Sequence, residues 1–276
     1  MNTKACLSIT AGLITCASAF AQSYSVWLPK EHELVVTPAY TFQIFDEFWA
    51  GGQKVKLPSY DYQHTMFLGF EYGLTEQIAL DLTGGYTWVH TKAFGADNHD
   101  DGLADTTFGV RYRILDEETS ALPFMPSLGV RVGGIIEGTY DQNFPFSAGD
   151  GASGVEASLL AGKAICPGFG VFGDIGYRWR NHDVPEDIFG SIGAYATFNK
   201  FTAHVGYRHT QGLSGNDIGD PGFTFPKVKE IQENIETGLG YSDRGGRYYQ
   251  FFYAHTLHGR NTGEKDVFGI AFSYPF

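Results

Sequence analysis

Residues 64–90 read HTMFLGFEYGLTEQIALDLTGGYTWVH. Taken two at a time, Met66, Leu68, Phe70, Tyr72 and Leu74 fall on one side, and Thr65, Phe67, Gly69, Glu71 and Gly73 on the other. After the polar break Thr75-Glu76-Gln77, the residues Ile78, Leu80, Leu82, Tyr86 and Trp88 share one side, opposite Asp81, Thr83, Gly85 and Thr87. Successive side chains of a strand point to opposite faces, so a period of two marks strand and the break marks a turn. The stretch predicts a hairpin with one large apolar face and one face of small, hydroxyl and charged residues.

The same alternation recurs along the chain. It predicts strands over 34–45, 64–74, 78–90, 104–114, 127–137, 153–164, 169–180, 188–198, 201–210, 229–241, 247–257 and 266–276, twelve in all. Short connections (74–77, 115–121, 164–168, 199–200, 242–246) alternate with longer ones (46–61, 91–102, 138–152, 181–187, 211–227, 258–265). An even number of antiparallel strands, with short turns on one rim and long loops on the other, is the pattern of bacterial outer-membrane barrels. Beyond the first residues no window of about 18 apolar residues exists, which excludes a spanning helix. A soluble sandwich also alternates, with its apolar face inward. The apolar positions here are rich in Tyr, Trp and Phe near the strand ends, and the opposite positions carry Gly, Ser, Thr and charges of both signs. That distribution suits hydrocarbon outside and water or ion pairs inside. An open sheet in lipid would leave edge N–H and C=O groups unsatisfied, so the sheet must close. The expected fold is therefore all-β: a transmembrane up-and-down antiparallel barrel of twelve strands. The last strand, DVFGIAFSYPF (266–276), carries Phe268, Ile270, Phe272, Tyr274 and Phe276 on its apolar face and must pair with the first. Pro38 and Pro275 cannot donate to a ladder, which predicts a frayed seam at the periplasmic end.

Lys4, the apolar run from Ala5 to Ala17 and Ala19-Phe20-Ala21 form a charged start, a short hydrophobic segment and an A-x-A cleavage site. Residues 1–21 are read as a secretory signal peptide and 22–276 as the barrel. Lipoprotein processing at Cys16 is the weaker alternative, because Thr15 is a poor residue to precede such a cysteine. Cleavage after Ala21 leaves only Cys166, so no intrachain disulfide forms. It also removes one basic residue and no acid, making the formal charge of −12 one unit more negative. That sign disfavours a nucleic-acid partner.

Residues 101–115, DGLADTTFGVRYRIL, resemble the Gly-Leu-Gly-Asp-rich strand entry of the outer-membrane family named for the meta-pathway of phenol degradation. Ala104 stands where that pattern has glycine. Residues 71–82, EYGLTEQIALDL, are similar to the same family's hairpin. The resemblance implies an outer-membrane barrel linked to uptake of aromatic or other hydrophobic compounds, and no catalytic residue.

The inward parity collects Arg111, Arg113, Arg131, Arg178, Arg180, Arg208 and His204 with Glu71, Asp81, Asp105, Glu156, Asp174 and Glu236. Arginines across from carboxylates set a transverse field in a selectivity lining. The alternative is that they pair simply to fill a narrow tube, since an unpaired charge there is costly; the two readings are compatible. The run Asp97-Asn98-His99-Asp100-Asp101 is oxygen-rich, as hard cations prefer. It lacks the spacing of an EF-hand loop, as His182-Asp183, Glu186-Asp187 and Asp217 with Asp220 also do. These are read as solvated outer loop tips, with cation-bridged contact to lipopolysaccharide as the functional alternative. The nine histidines show no H-x-H, H-E-x-x-H or C-x-x-C spacing, so no metal or cofactor is expected.

The sequence thus predicts an outer-membrane passive channel or facilitator for small compounds, with membrane lipid, lipopolysaccharide and, through Phe276, the barrel-assembly machinery as partners. A non-conducting structural or adhesion barrel is the second reading. A rim-active lipid hydrolase is the third, with Ser242 or Ser273 and His255 or His209 as its only candidates. Residues 22–33, QSYSVWLPKEHE, are long enough to enter the bore.

Overall fold

The structure is a computed structural model that describes residues 25–92, 97–120, 124–144 and 146–276. The signal peptide expected at 1–21 lies outside the described residues. No described helix is long and apolar enough to cross a membrane. The strands are β1 (Leu34–Ala50), β2 (Gln53–Gly73), β3 (Ile78–Thr91), β4 (Asn98–Leu103), β5 (Thr106–Leu115), β6 (Ser127–Ile136), β7 (Gly154–Cys166), β8 (Phe169–Arg180), β9 (Asp187–Phe198), β10 (Phe201–Gly212), β11 (Ile231–Ser242), β12 (Tyr248–Arg260) and β13 (Asp266–Pro275). Each pairs antiparallel with its neighbours, β1 pairs with both β2 and β13, and the sheet closes. β4 and β5 both pair with β3 and form one stave broken at Ala104-Asp105, so the barrel has twelve staves.

The faces are divided as the alternation requires. Val132, Leu159, Ile175, Ile192 and Leu239 are each more than half exposed on the outer wall. On the inner wall Thr65, Thr87, Arg111, Arg131, Glu156 and Thr256 are buried. Phe268 is 40% exposed while Arg111 is 1% exposed, the reverse of a soluble sandwich. An apolar exterior on a closed tube is stable only in hydrocarbon, so the barrel spans a membrane. Near the short-turn rim, rings step around the wall from Phe201 to Tyr241, Tyr249 and Phe272 at centroid separations of 5.3, 6.3 and 5.9 Å. This is an aromatic girdle at one interface.

The structure corrects three expectations. Residues 46–61, predicted as a loop, extend β1 and β2 into a hairpin that turns at Gly51-Gly52. Residues 98–103, also predicted as a connection, pair with β3. Both segments rise beyond the hydrocarbon, where neither face must be apolar, so the period-two signal fades although the ladder continues. Pro58 is accommodated because Leu57–Tyr60 bulge out of register between Glu47↔Lys56 and Phe45↔Asp61. Third, the seam is interrupted rather than frayed. The β1–β13 register skips Thr37 and Pro38, where Pro38 has no N–H to give. Thr37 and Ser273 bridge that gap through their hydroxyls at 2.9 Å. Beyond it, Leu34 and Phe276 exchange both backbone hydrogen bonds, so the ladder holds to the last residue.

Candidate functional site: the bore and its two ends

The pairing register lays Asp81, Gly109, Gly133, Glu156, Arg178 and Asp187 side by side across β3, β5, β6, β7, β8 and β9. Two of these positions are glycines for a steric reason. A Cβ on either Gly109 or Gly133 would lie 2.6 Å from the guanidinium of Arg131. The bare backbone lets that side chain lie along the wall between Asp81 and Glu156, at 2.7 and 2.5 Å. Arg111 reaches Glu71 at 2.5 Å and Asp81 at 3.7 Å. Arg178 reaches Glu156 at 3.0 Å and Asp187 at 3.7 Å, and Arg180 joins Asp187 to Asp150. The result is an unbroken belt of alternating charge from β2 to β9, nearly all of it buried. Each arginine of the belt lies between two carboxylates, which offsets part of the cost of holding charge away from water.

The other inward candidates are placed differently. Arg208 and Glu236 form a separate pair at 2.9 Å across β10 and β11. Asp174 accepts a hydrogen bond from the hydroxyl of Ser191. His204 packs over Gly238. Asp105, at the break in the β4–β5 stave, accepts Tyr140 Oη–H at 2.6 Å and Gly138 N–H at 2.9 Å. Burial and the Asp105 carboxylate push the Tyr140 phenol well above its ordinary range. Arg113 belongs to the short-turn rim, where it holds Asp116 at 3.1 Å and the carbonyl of Glu76 at 2.7 Å. Asp187, read from sequence as a solvated loop tip, is instead buried between two arginines. Its inward parity at the first residue of β9 was the signal; the adjacent acidic and proline residues (Val184-Pro185-Glu186) made it look like loop.

At the short-turn end, Ser25–Pro29 run inside the barrel and are buried. Val26 and Trp27 pack with Leu160, Tyr195 and Phe172, and the indole meets Tyr195 edge-on at 5.8 Å. Here too glycines make room, since a Cβ at Gly162 would strike the Trp27 ring at 2.6 Å. The segment is tied to the belt and the rim: Arg111 Nη1 donates to the Ser25 carbonyl at 3.2 Å, and Trp27 Nε1 donates to Glu117 at 3.4 Å.

The opposite end is hollow. A cavity of about 340 Å³ lies beneath the long loops, bounded by Phe45, Phe146, Ile218 and Phe225, by Asp105 and by the outer end of the belt at Asp150, Arg180 and Asp187. A second, of about 290 Å³, lies deeper among Thr41, Gln63, Thr65, His204, Arg208 and Asn234. The two share Gln43, Thr210, Gln232 and Lys265 in their walls, and so adjoin. Phe45 and Phe48 of the β1–β2 hairpin seat against Phe146 at 5.0 and 5.3 Å. Asn261 pins the loops around them: its Oδ1 accepts Gly51 and Ile218 N–H at 2.7 and 3.0 Å, and its Nδ2 donates to Asp217 and Lys229 at 2.9 and 2.8 Å. The hydrogen bonds from Arg260 and Asn261 hold the Asp217 carboxyl below the usual range.

Comparison with solved structures places this geometry among membrane barrels. An outer-membrane channel from Pseudomonas putida F1 superposes with a TM-score of 0.72 at 16% identity, covering 90% of this chain and 97% of that one. The translocator domain of the autotransporter NalP from Neisseria meningitidis superposes with a TM-score of 0.55 at 12% identity, covering 99% of this chain and 98% of that one. No family sequence profile and no curated protein matches the chain. At these identities the likeness is one of fold: a closed twelve-stave outer-membrane barrel. None of the serines and histidines weighed for hydrolysis is hydrogen-bonded to another of them among the described residues. Ser273 is bonded to Thr37 and His255 to Asp266, while His209 sits beside Glu233 and Gln211. Ser242 lies buried at the short-turn end of β11.

Proposed function

We propose that this protein is a passive outer-membrane channel for small, predominantly apolar or aromatic solutes, entered through the outer vestibule and gated at the periplasmic end by Ser25–Pro29. The observation that carries the reading is an apolar patch in the mouth set above a belt in which each arginine lies between two carboxylates. Phe45, Phe146, Ile218 and Phe225 give an uncharged solute something to desolvate against. In the belt below them every arginine is paired with carboxylates, and the deeper cavity offers the amides and hydroxyls of Gln43, Gln63 and Thr65 as exchangeable hydrogen-bond partners. This favours the hydrophobic-uptake family that residues 71–82 and 101–115 resemble. Phe276, its side chain exposed on the wall, is the element offered to the assembly machinery, and the acidic outer loops face lipopolysaccharide.

Planar-bilayer recordings of the intact barrel and of a variant lacking Ser25–Pro29 test this. The intact protein gives small or infrequent steps, the deletion large and steady ones, and liposomes loaded with the deletion variant swell faster in small neutral solutes than in salts of equal size. Silence from both proteins, with the heat-dependent gel shift of a folded barrel intact, would favour the structural barrel, a reading that the continuity of the buried belt also supports.

A further inference from the structure

The outer wall above the membrane carries a cluster that the bore does not use. His90, next to last in β3, and His99, second in β4, are direct partners in the antiparallel register. Their rings stack at 4.4 Å. Asp97, just before β4, turns back between them: its Oδ1 lies 2.5 Å from His90 Nε2 and 3.5 Å from His99 Nε2. The three ligand atoms all fall within 4.8 Å of one another. His90 is buried and so fixed in position, whereas His99 and Asp97 are exposed and free to adjust.

We propose that His90, Asp97 and His99 form a binding site for a first-row divalent cation of the zinc class. Tetrahedral zinc with nitrogen and carboxylate ligands at about 2.0–2.2 Å needs ligand atoms roughly 3.3–3.5 Å apart. The His99–Asp97 distance already has that value. The His90–Asp97 contact must open by about 1 Å as the cation replaces the shared proton, a movement that the exposed Asp97 side chain can make. Imidazole nitrogens select zinc, nickel or copper over calcium and magnesium. The site is therefore distinct from a hard-cation bridge at Asp100 and Asp101, whose carboxylates are engaged by Asp141 N–H and by Tyr86 Oη–H. Lys92, 3.4 Å from Asp97 Oδ2, occupies the other carboxylate oxygen and leaves Oδ1 for the cation. Three protein ligands leave at least one position open to water on the outer face. Bound, the cation would clamp β4 to β3, the only strand with which β4 pairs among the described residues.

Zinc chloride titrated calorimetrically into the purified, tag-free barrel in detergent checks the assignment. One ion per chain is expected. His99→Ala, at an exposed position that leaves the fold untouched, should weaken binding at least tenfold, as should His90→Ala. Cobalt substitution should give the visible bands of a four- or five-coordinate nitrogen–oxygen site, and a hundredfold excess of calcium should not displace it. Absence of stoichiometric zinc binding by the wild-type barrel, equal affinity in His99→Ala, or displacement by calcium would each overturn the proposal.

Discussion

The two ends of the bore are built on different physics. At the periplasmic end a short segment brings its own apolar side chains, Val26 and Trp27, into a polar tube and finds Leu160, Phe172 and Tyr195 waiting there. Gly129 and Gly162 hollow out the wall beneath them. At the outer end the aromatic contacts of Phe45 and Phe48 with Phe146 are joined by directional polar bonds converging on Asn261 and Asp217, and the loops arch over a cavity instead of filling it. Burial is non-directional and roughly proportional to area, so a plug held by it can slide out and return. A roof held by aligned hydrogen bonds has one geometry and fails when any member is removed. On the proposed channel reading, the difference would put motion at the inner end and shape at the outer end.

The comparison rests on the belt between the two ends, and the largest effect comes from breaking it. Arg131→Ala removes the cation that Asp81 and Glu156 share, leaving Asp81 with its 3.7 Å contact to Arg111 and Glu156 with Arg178, which costs about 3–5 kcal/mol. Thermal unfolding in detergent, followed by the heat-dependent gel shift, should show a large drop. A drop no greater than that of an exposed substitution such as Arg244→Ala would mean that water, and not Arg131, screens the two carboxylates. Next is the plug itself. Trp27→Ala removes the largest side chain of the inner cluster at about 3 kcal/mol, the low end for a buried tryptophan because a chain-end segment can settle into the gap. The readout is open probability in bilayers, expected to rise while unfolding temperature moves little. A stability loss without a change in opening would make the segment a strut, not a gate.

The outer end responds on a smaller scale. Asn261→Ala strips four hydrogen bonds from the roof and costs about 1–3 kcal/mol. Its expected signature is faster protease cleavage within 213–230 and altered solute preference, with gating unchanged; an effect on the inner gate would show that the two ends are coupled. The smallest effect is acid sensitivity of the same roof. Asp217 is held below its unfolded value, so its pairing with Arg260 contributes stability above the ordinary aspartate pKa of about 3.9. That contribution is lost as pH falls through the depressed folded value. Loop proteolysis should therefore stay flat from neutral pH down to about pH 4 and rise only below it, and Asp217→Asn should remove the rise.

Much of the bore was legible before any coordinates. The inward parity of Glu71, Asp81, Arg111, Arg131, Glu156 and Arg178 follows from the period of two, because a strand with one face in lipid has to send every charge to the other. Parity alone could not say which charge meets which. Arg111 stands directly across from Arg131 in the register, an apparent clash that is relieved because each reaches sideways to carboxylates on other staves. Arg113 shares their parity yet belongs to the rim, because alternation gives a face and not a height.

The metal candidate shows the same limit more sharply. His90 and His99 are nine residues apart and match no ligand spacing along the chain, so a linear search passes over them. The β3–β4 ladder makes them neighbours.

By itself the sequence determined the barrel, its twelve staves, and which side chains face lipid, because each is a local consequence of a backbone that must satisfy every N–H and C=O by pairing in a medium without water. Only the tertiary structure decided the rest: that Val26 and Trp27 fill one end, that the belt runs unbroken from Glu71 to Asp150, and that the other end stays open under a roof pinned at Asn261. Those features depend on register and shear, which bring residues from distant staves to one height, and no single strand carries that information.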